Sequence, residues 1–168
     1  MSLMRRVLGA AAILALTAGG ASLAARPASA ARTPACFAPH LRLVRAGTEG
    51  ALSHRYVKFR ITNTGRRACR LYGYPTFRYR DTDGHAVGAR SAPAGVRARV
   101  VTLAPGQHTR VTLGYVVPAV TLHRQCHATR VASVDVRLAF RPHVYPQPLR
   151  VRACTTKLYR PLAYPAGF

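Results

Sequence analysis

Acidic side chains are almost missing from this chain: 4 Asp and Glu stand against 26 Lys and Arg. Glu49, Asp81, Asp83 and Asp135 all read as turn or surface residues, so the pair of positioned carboxylates that a glycosidase needs is absent. There is no Trp, which removes the Trp that packs on the inter-sheet disulfide of true immunoglobulin domains. Met1 and Met4 are the only methionines, and both precede the mature domain, so a Met-and-His copper carrier lacks its ligands. No C-x-x-C pair occurs, which removes zinc ribbons and thioredoxin-like redox sites. No Gly-x-Ser-x-Gly elbow surrounds Ser53, Ser91 or Ser133. No apolar run approaches the roughly 20 residues of a membrane span, and Val111 to Val120 is broken by Gly114 and Pro118. The expectation is a protein that is not an enzyme, with no cofactor, no metal and no transmembrane segment in its mature chain.

What is present begins with an export signal. Arg5 and Arg6 precede an apolar stretch, Val7 to Leu16, and a run of small residues closes on Ala28-Ser29-Ala30, the pattern a signal peptidase reads. Residues 1–30 are therefore read as a cleaved secretory signal and residues 31–168 as one domain, secreted and extracellular or wall-associated. Cys36 follows Thr33-Pro34-Ala35, well past that site, which argues against lipid attachment.

The net charge is +22, and losing Arg5, Arg6 and Arg26 with the signal barely lowers it. All basic side chains except Lys58 and Lys157 are arginine. Codon bias accounts for Arg over Lys but not for the shortage of acids. A domain this basic outside the cell is expected to meet something anionic.

Cys36, Cys69, Cys126 and Cys154 make an even set in an exported chain and read as two disulfides. After the signal, alternation of period two is frequent. Val57, Phe59 and Ile61 share one face of Tyr56–Thr62, with Lys58, Arg60 and Thr62 on the other. Phe77 and Tyr79 alternate with Arg78 and Arg80. Further strands are expected near Leu41–Arg45, Arg99–Leu103, Thr109–Val117, Ser133–Phe140 and Leu149–Ala153. Asn63-Thr64-Gly65, Asp81-Thr82-Asp83-Gly84, Pro105-Gly106 and Pro146-Gln147-Pro148 read as turns between them. The fold class expected is all-β, an immunoglobulin-like antiparallel β-sandwich of about seven to eight strands. Antiparallel pairing of the first two strands, and of the last two, favours the disulfides Cys36–Cys69 and Cys126–Cys154 among the three pairings that four cysteines allow.

The run Phe59-Arg60-Ile61-Thr62-Asn63-Thr64-Gly65, then Cys69-Arg70-Leu71-Tyr72-Gly73-Tyr74-Pro75, is distinctive in combination. Asp81-Thr82-Asp83-Gly84, Val101-Thr102-Leu103-Ala104-Pro105-Gly106, Cys126 and Cys154 follow in order. The chain resembles the secreted actinobacterial family catalogued as domain of unknown function 4232, from about Cys36 to Leu162. The resemblance implies an exported, disulfide-bonded β-sandwich, often wall- or membrane-associated, with no established chemistry. Many relatives are similar to lipoproteins, and this chain departs from them by lacking the lipid-modified Cys.

The candidate polyanion-binding residues are Lys58, Arg60, Arg78, Arg80, Arg99, Arg110, Arg137, Arg150 and Arg152, on outward strand faces where only Asp135 offers a partner. Guanidinium forks suit phosphate and carboxylate oxygens. The expected partner is an anionic cell-wall polymer or a membrane surface, and the alternative is an extracellular protein partner recognised by loops. Nucleic acid is disfavoured, because no nucleic-acid motif is present and export removes most such targets. His123 and His127 flank Cys126 but read as loop residues, and Asp81 and Asp83 read as a hairpin turn rather than a calcium loop. Tyr145, Tyr159 and Tyr164 are expected to pack over one end of the domain, with stacking on sugar rings as the other use.

Overall fold

Alternating apolar and charged residues bury one side of a strand and wet the other, and the computed structural model is built from such strands throughout. It describes residues 32–118, 125–139 and 142–167. The segment read as the export signal, His123 and Phe140 lie outside these.

Eleven strands run through the described residues: β1 (Leu41–Ala51), β2 (His54–Asn63), β3 (Cys69–Leu71), β4 (Thr76–Arg80), β5 (Ala86–Val87), β6 (Ala92–Pro93), β7 (Val101–Leu103), β8 (His108–Val116), β9 (Ala128–Arg137), β10 (Val144–Cys154) and β11 (Leu162–Tyr164). The only helical element among them is a single 3-10 turn, Ala38–His40. Five strands form one sheet in the order β1-β2-β8-β11-β6, four form a second, β10-β9-β4-β5, and β3 pairs with β7. Every pairing is antiparallel except β11 with β6.

The two larger sheets share one core. Val57, Phe59 and Ile61 of β2 and Leu113 of β8 are fully buried, as are Phe77 and Tyr79 of β4 and Val134 and Val136 of β9. The rings of Phe59 and Phe77 stack across the interior with centroids 5.8 Å apart. Alternation then sends Lys58 and Arg60 out of one sheet and Arg78 and Arg80 out of the other, on opposite sides of the molecule.

Both disulfides form, Cys36–Cys69 and Cys126–Cys154. The first ties the segment before β1 to β3, where Cys36 also donates its backbone N–H to Arg70 O. The second joins the start of β9 to the end of β10, where Cys154 is in register with Ala128. Each closes a loop of about 30 residues, for which a chain-entropy model gives roughly 3–4 kcal/mol.

Several local expectations need correction. Pro146-Gln147-Pro148 is not a turn: it lies inside β10, opposite Asp135, Val134 and Ser133. β10 is an edge strand, the place in a sheet where proline is tolerated, and the register shifts just beyond the prolines, between Pro148 and Val151. Arg99 is not on a strand, because β7 starts only at Val101. The strand count is eleven rather than seven or eight, because β3, β5, β6 and β11 have two or three residues each, too few for alternation to show.

Candidate functional site

The outward arginines do not form one surface. On the five-stranded sheet, Arg60 stands directly opposite Arg110 in the β2–β8 register. Lys58 on the same face is ion-paired with Glu49 of β1. On the four-stranded sheet, Arg152 stands directly opposite Arg130. Like charges directly opposite on adjacent strands destabilise a sheet, so each sheet carries one cross-strand arginine pair that folding alone does not favour. Arg150 and Arg152, with Arg130 and Thr82, line a shallow hollow of about 390 Å³. Arg99 is exposed in the segment before β7.

The most developed arrangement lies on the outer face of the four-stranded sheet. Arg78 and Arg80 project from β4 and Asp135 and Arg137 from the adjacent β9, with Arg78 in register with Asp135 and Thr76 with Arg137. Arg90 comes in from the β5–β6 connection. Together with Thr76 and Ala86 these side chains line a cleft of about 190 Å³.

Arg90 owes its place to its neighbour. Ser91 accepts the Phe77 N–H on its hydroxyl at 2.9 Å and donates its own N–H to Phe77 O at 3.1 Å. The connection is thereby clamped to the start of β4. Gly88, with φ +69°, turns the chain there against Thr155, whose carbonyl oxygen would stand 3.0 Å from any added Cβ.

The charges in the cleft are unequal in their commitments. Arg80 donates Nε and Nη2 to Asp135 Oδ2 at 2.8 and 2.6 Å, and Nη1 to Gly84 O at 3.2 Å. Asp135 is mostly buried, with 12% of its side chain exposed. Arg80 therefore serves to hold Asp135, and of the candidate residues it is the one most fully used by the fold. The side chains of Arg78, Arg90 and Arg137 make no hydrogen bond or ion pair among the described residues. Among the described residues the Nε–H of Arg78 is buried with no acceptor, and an unmet buried donor carries a cost that native structures rarely accept. Chemically, the cleft offers three guanidinium forks beside one carboxylate and presents no nucleophile–base pair.

Arg90 and Arg130 escaped the sequence reading. Arg90 sits in a connection where alternation carries no information, and Gly88 was its one local signal. Arg130 precedes the expected start of its strand, which begins five residues earlier, at Ala128.

The other candidates lie elsewhere. Asp81 Oδ1 accepts the N–H groups of Asp83 and His85 at 3.0 and 2.8 Å, the self-capped turn expected of Asp-Thr-Asp-Gly. Tyr145 is buried and donates its hydroxyl to Ala38 O at 2.9 Å. Tyr164 packs edge-on against Tyr56, centroids 5.8 Å apart, over Gly114. Tyr159 OH lies 3.4 Å from Gln125 Oε1. His127 is exposed.

A family model described as Domain of unknown function (DUF4232) matches residues 36–158. No curated protein and no solved structure matches the chain.

Proposed function

This chain belongs to the DUF4232 family, and from that premise we propose that it is an exported, non-catalytic domain of immunoglobulin-like sandwich type that associates electrostatically with anionic polymers of the cell envelope. The observation that carries the reading is the cleft where the side chains of Arg78, Arg90 and Arg137 converge without partners among the described residues. The facing pairs Arg60–Arg110 and Arg130–Arg152 support it, since they concentrate charge at a cost to the fold. Two disulfides and no free cysteine among the described residues fit an oxidising compartment. The non-catalytic part draws support from the acids: Glu49, Asp81 and Asp135 are taken up by an ion pair, a turn and an ion pair.

The test is co-sedimentation of the oxidised protein with cell walls, before and after teichoic-acid extraction, across a salt series. Exposed charges act over about 8 Å at physiological ionic strength, so binding should weaken steadily with salt and vanish with the polymer. Binding indifferent to both would overturn the reading and point to a protein partner gripped by loops.

A further inference from the structure

We propose that the cleft between β4, β9 and the β5–β6 connection holds one phosphate group of a polyol or sugar phosphate, with Arg78, Arg90 and Arg137 on the phosphate oxygens and Asp135 accepting a hydrogen bond from a neighbouring ligand hydroxyl. The proposal rests on the polyanion-binding reading and narrows it to one chemical group at one place.

Three features favour a defined site over a solvated charged face. Among the described residues the buried Nε–H of Arg78 has no acceptor, so a ligand oxygen that reaches it would meet an unsatisfied donor. Its cross-strand partner Asp135 is turned instead to the diagonal neighbour Arg80, so the guanidinium of Arg78 stays available. The cleft, at about 190 Å³, far exceeds the space one water needs and offers room for one tetrahedral anion and its adjoining carbon rather than for a folded polymer segment.

The carboxylate sets the selectivity. Both bonds from Arg80 fall on Asp135 Oδ2, leaving Oδ1 without a hydrogen bond among the described residues. An anion bearing only acceptor oxygens, such as sulfate, meets repulsion at Oδ1. A phosphate ester carrying a hydroxyl nearby turns the same atom into an attractive contact. Arginine supplies the planar forks that phosphate oxygens accept in pairs. Arg80, spent on Asp135 and Gly84 O, positions the carboxylate and does not compete for the anion.

The experiment titrates the isotope-labelled, oxidised protein with glycerol 3-phosphate and, separately, sodium sulfate at constant ionic strength, following the arginine Nε–Hε resonances. A saturable one-to-one shift of Arg78 is expected with glycerol 3-phosphate, at least tenfold tighter than with sulfate. Arg78→Gln and the exposed-loop variant Arg90→Gln should each weaken it tenfold or more, while Arg42→Gln, at an exposed position of β1 on the other sheet, leaves it unchanged. Non-saturating shifts spread evenly over Arg60, Arg78 and Arg150 would overturn the site, and equal affinity for sulfate would overturn the role of Asp135. Retained salt-sensitive wall binding with no glycerol 3-phosphate response overturns this proposal alone. Loss of both overturns the polyanion reading as well.

Discussion

The carboxamide of Asn63 donates to the carbonyl of Leu103 at 2.9 Å, joining the end of β2 to the end of β7 across 40 residues of sequence. Its second N–H goes to Arg67 O at 2.9 Å, and its Oδ1 accepts the Gly65 N–H at 2.9 Å. The Asn63 backbone donates to Gln107 O and accepts from Gly106, which at φ +77° makes the turn before β8. The Asn-Thr-Gly and Ala-Pro-Gly segments, far apart in sequence, are thus two halves of one hydrogen-bonded corner.

Asn63→Ala should be among the most damaging single changes on this end of the domain. Asn63 is only 1% exposed, and its removal strips partners from Leu103 O, Arg67 O and the Gly65 N–H. A buried group left unsatisfied costs about 1–3 kcal/mol, and water can reach the outer ones. A loss of about 2–4 kcal/mol is expected in urea unfolding, with the slope unchanged. A change under about 0.5 kcal/mol would mean that the corner is held by its backbone bonds alone.

That corner also shows where sequence reading succeeds and where it stops. Asn63, Gly65, Pro105 and Gly106 stood out as turn residues because their backbone chemistry is local. Their union was not visible, because nothing in either segment encodes the partner 40 residues away. The same division holds at the cleft. Arg78, Arg80 and Arg137 were legible from alternation, but Arg90 arrives through a non-repeating connection clamped by Ser91. The Pro146–Pro148 error has the same origin. Proline signals a turn on composition, and only the sheet order, with β10 at an edge, makes it acceptable in a strand.

Gly88→Ala should test the link between the connection and the cleft. A Cβ there meets Thr155 Cβ and O at 3.0 Å, on a backbone with φ +69°. Left-handed backbone at a non-glycine residue costs of order 1–3 kcal/mol, and Thr155 O belongs to the backbone and yields little. Thermal unfolding should shift down by several degrees, with weakened glycerol 3-phosphate binding as Arg90 is displaced. An unchanged melting temperature would mean that the connection adapts freely.

Alkaline pH should weaken the fold through its buried tyrosines. Burial raises the hydroxyl pKa of Tyr79, Tyr115, Tyr145 and Tyr164 above the ordinary 10.0. Tyr115 lies beside Tyr79 and raises it further, and Arg45 and Arg55 partly offset the rise at Tyr115 itself. With the folded pKa raised, the unfolded chain releases these protons first, so the native state binds more of them above pH 10 and stability falls as pH rises. Below pH 10 the contribution is fully present. Urea midpoints should hold steady from about pH 7 to 9 and decline beyond about 10. Tyr145→Phe should flatten part of that decline.

Arg110→Gln is expected to raise stability while it weakens attachment to the envelope. Arg110 and Arg60 face each other directly across β8 and β2, both exposed, and a like-charged pair in that register costs roughly 0.2–1 kcal/mol. Glutamine keeps the length and polarity of the side chain and removes the repulsion, so low-salt unfolding should shift upward by about that amount. The gain should shrink as salt screens the pair. If the pair contributes to polymer binding, wall retention falls and its salt dependence becomes shallower. A variant that is both more stable and equally well retained would assign the pair no part in binding, and leave the opposite sheet, with Arg78, Arg90 and Arg137, as the face that meets the polymer.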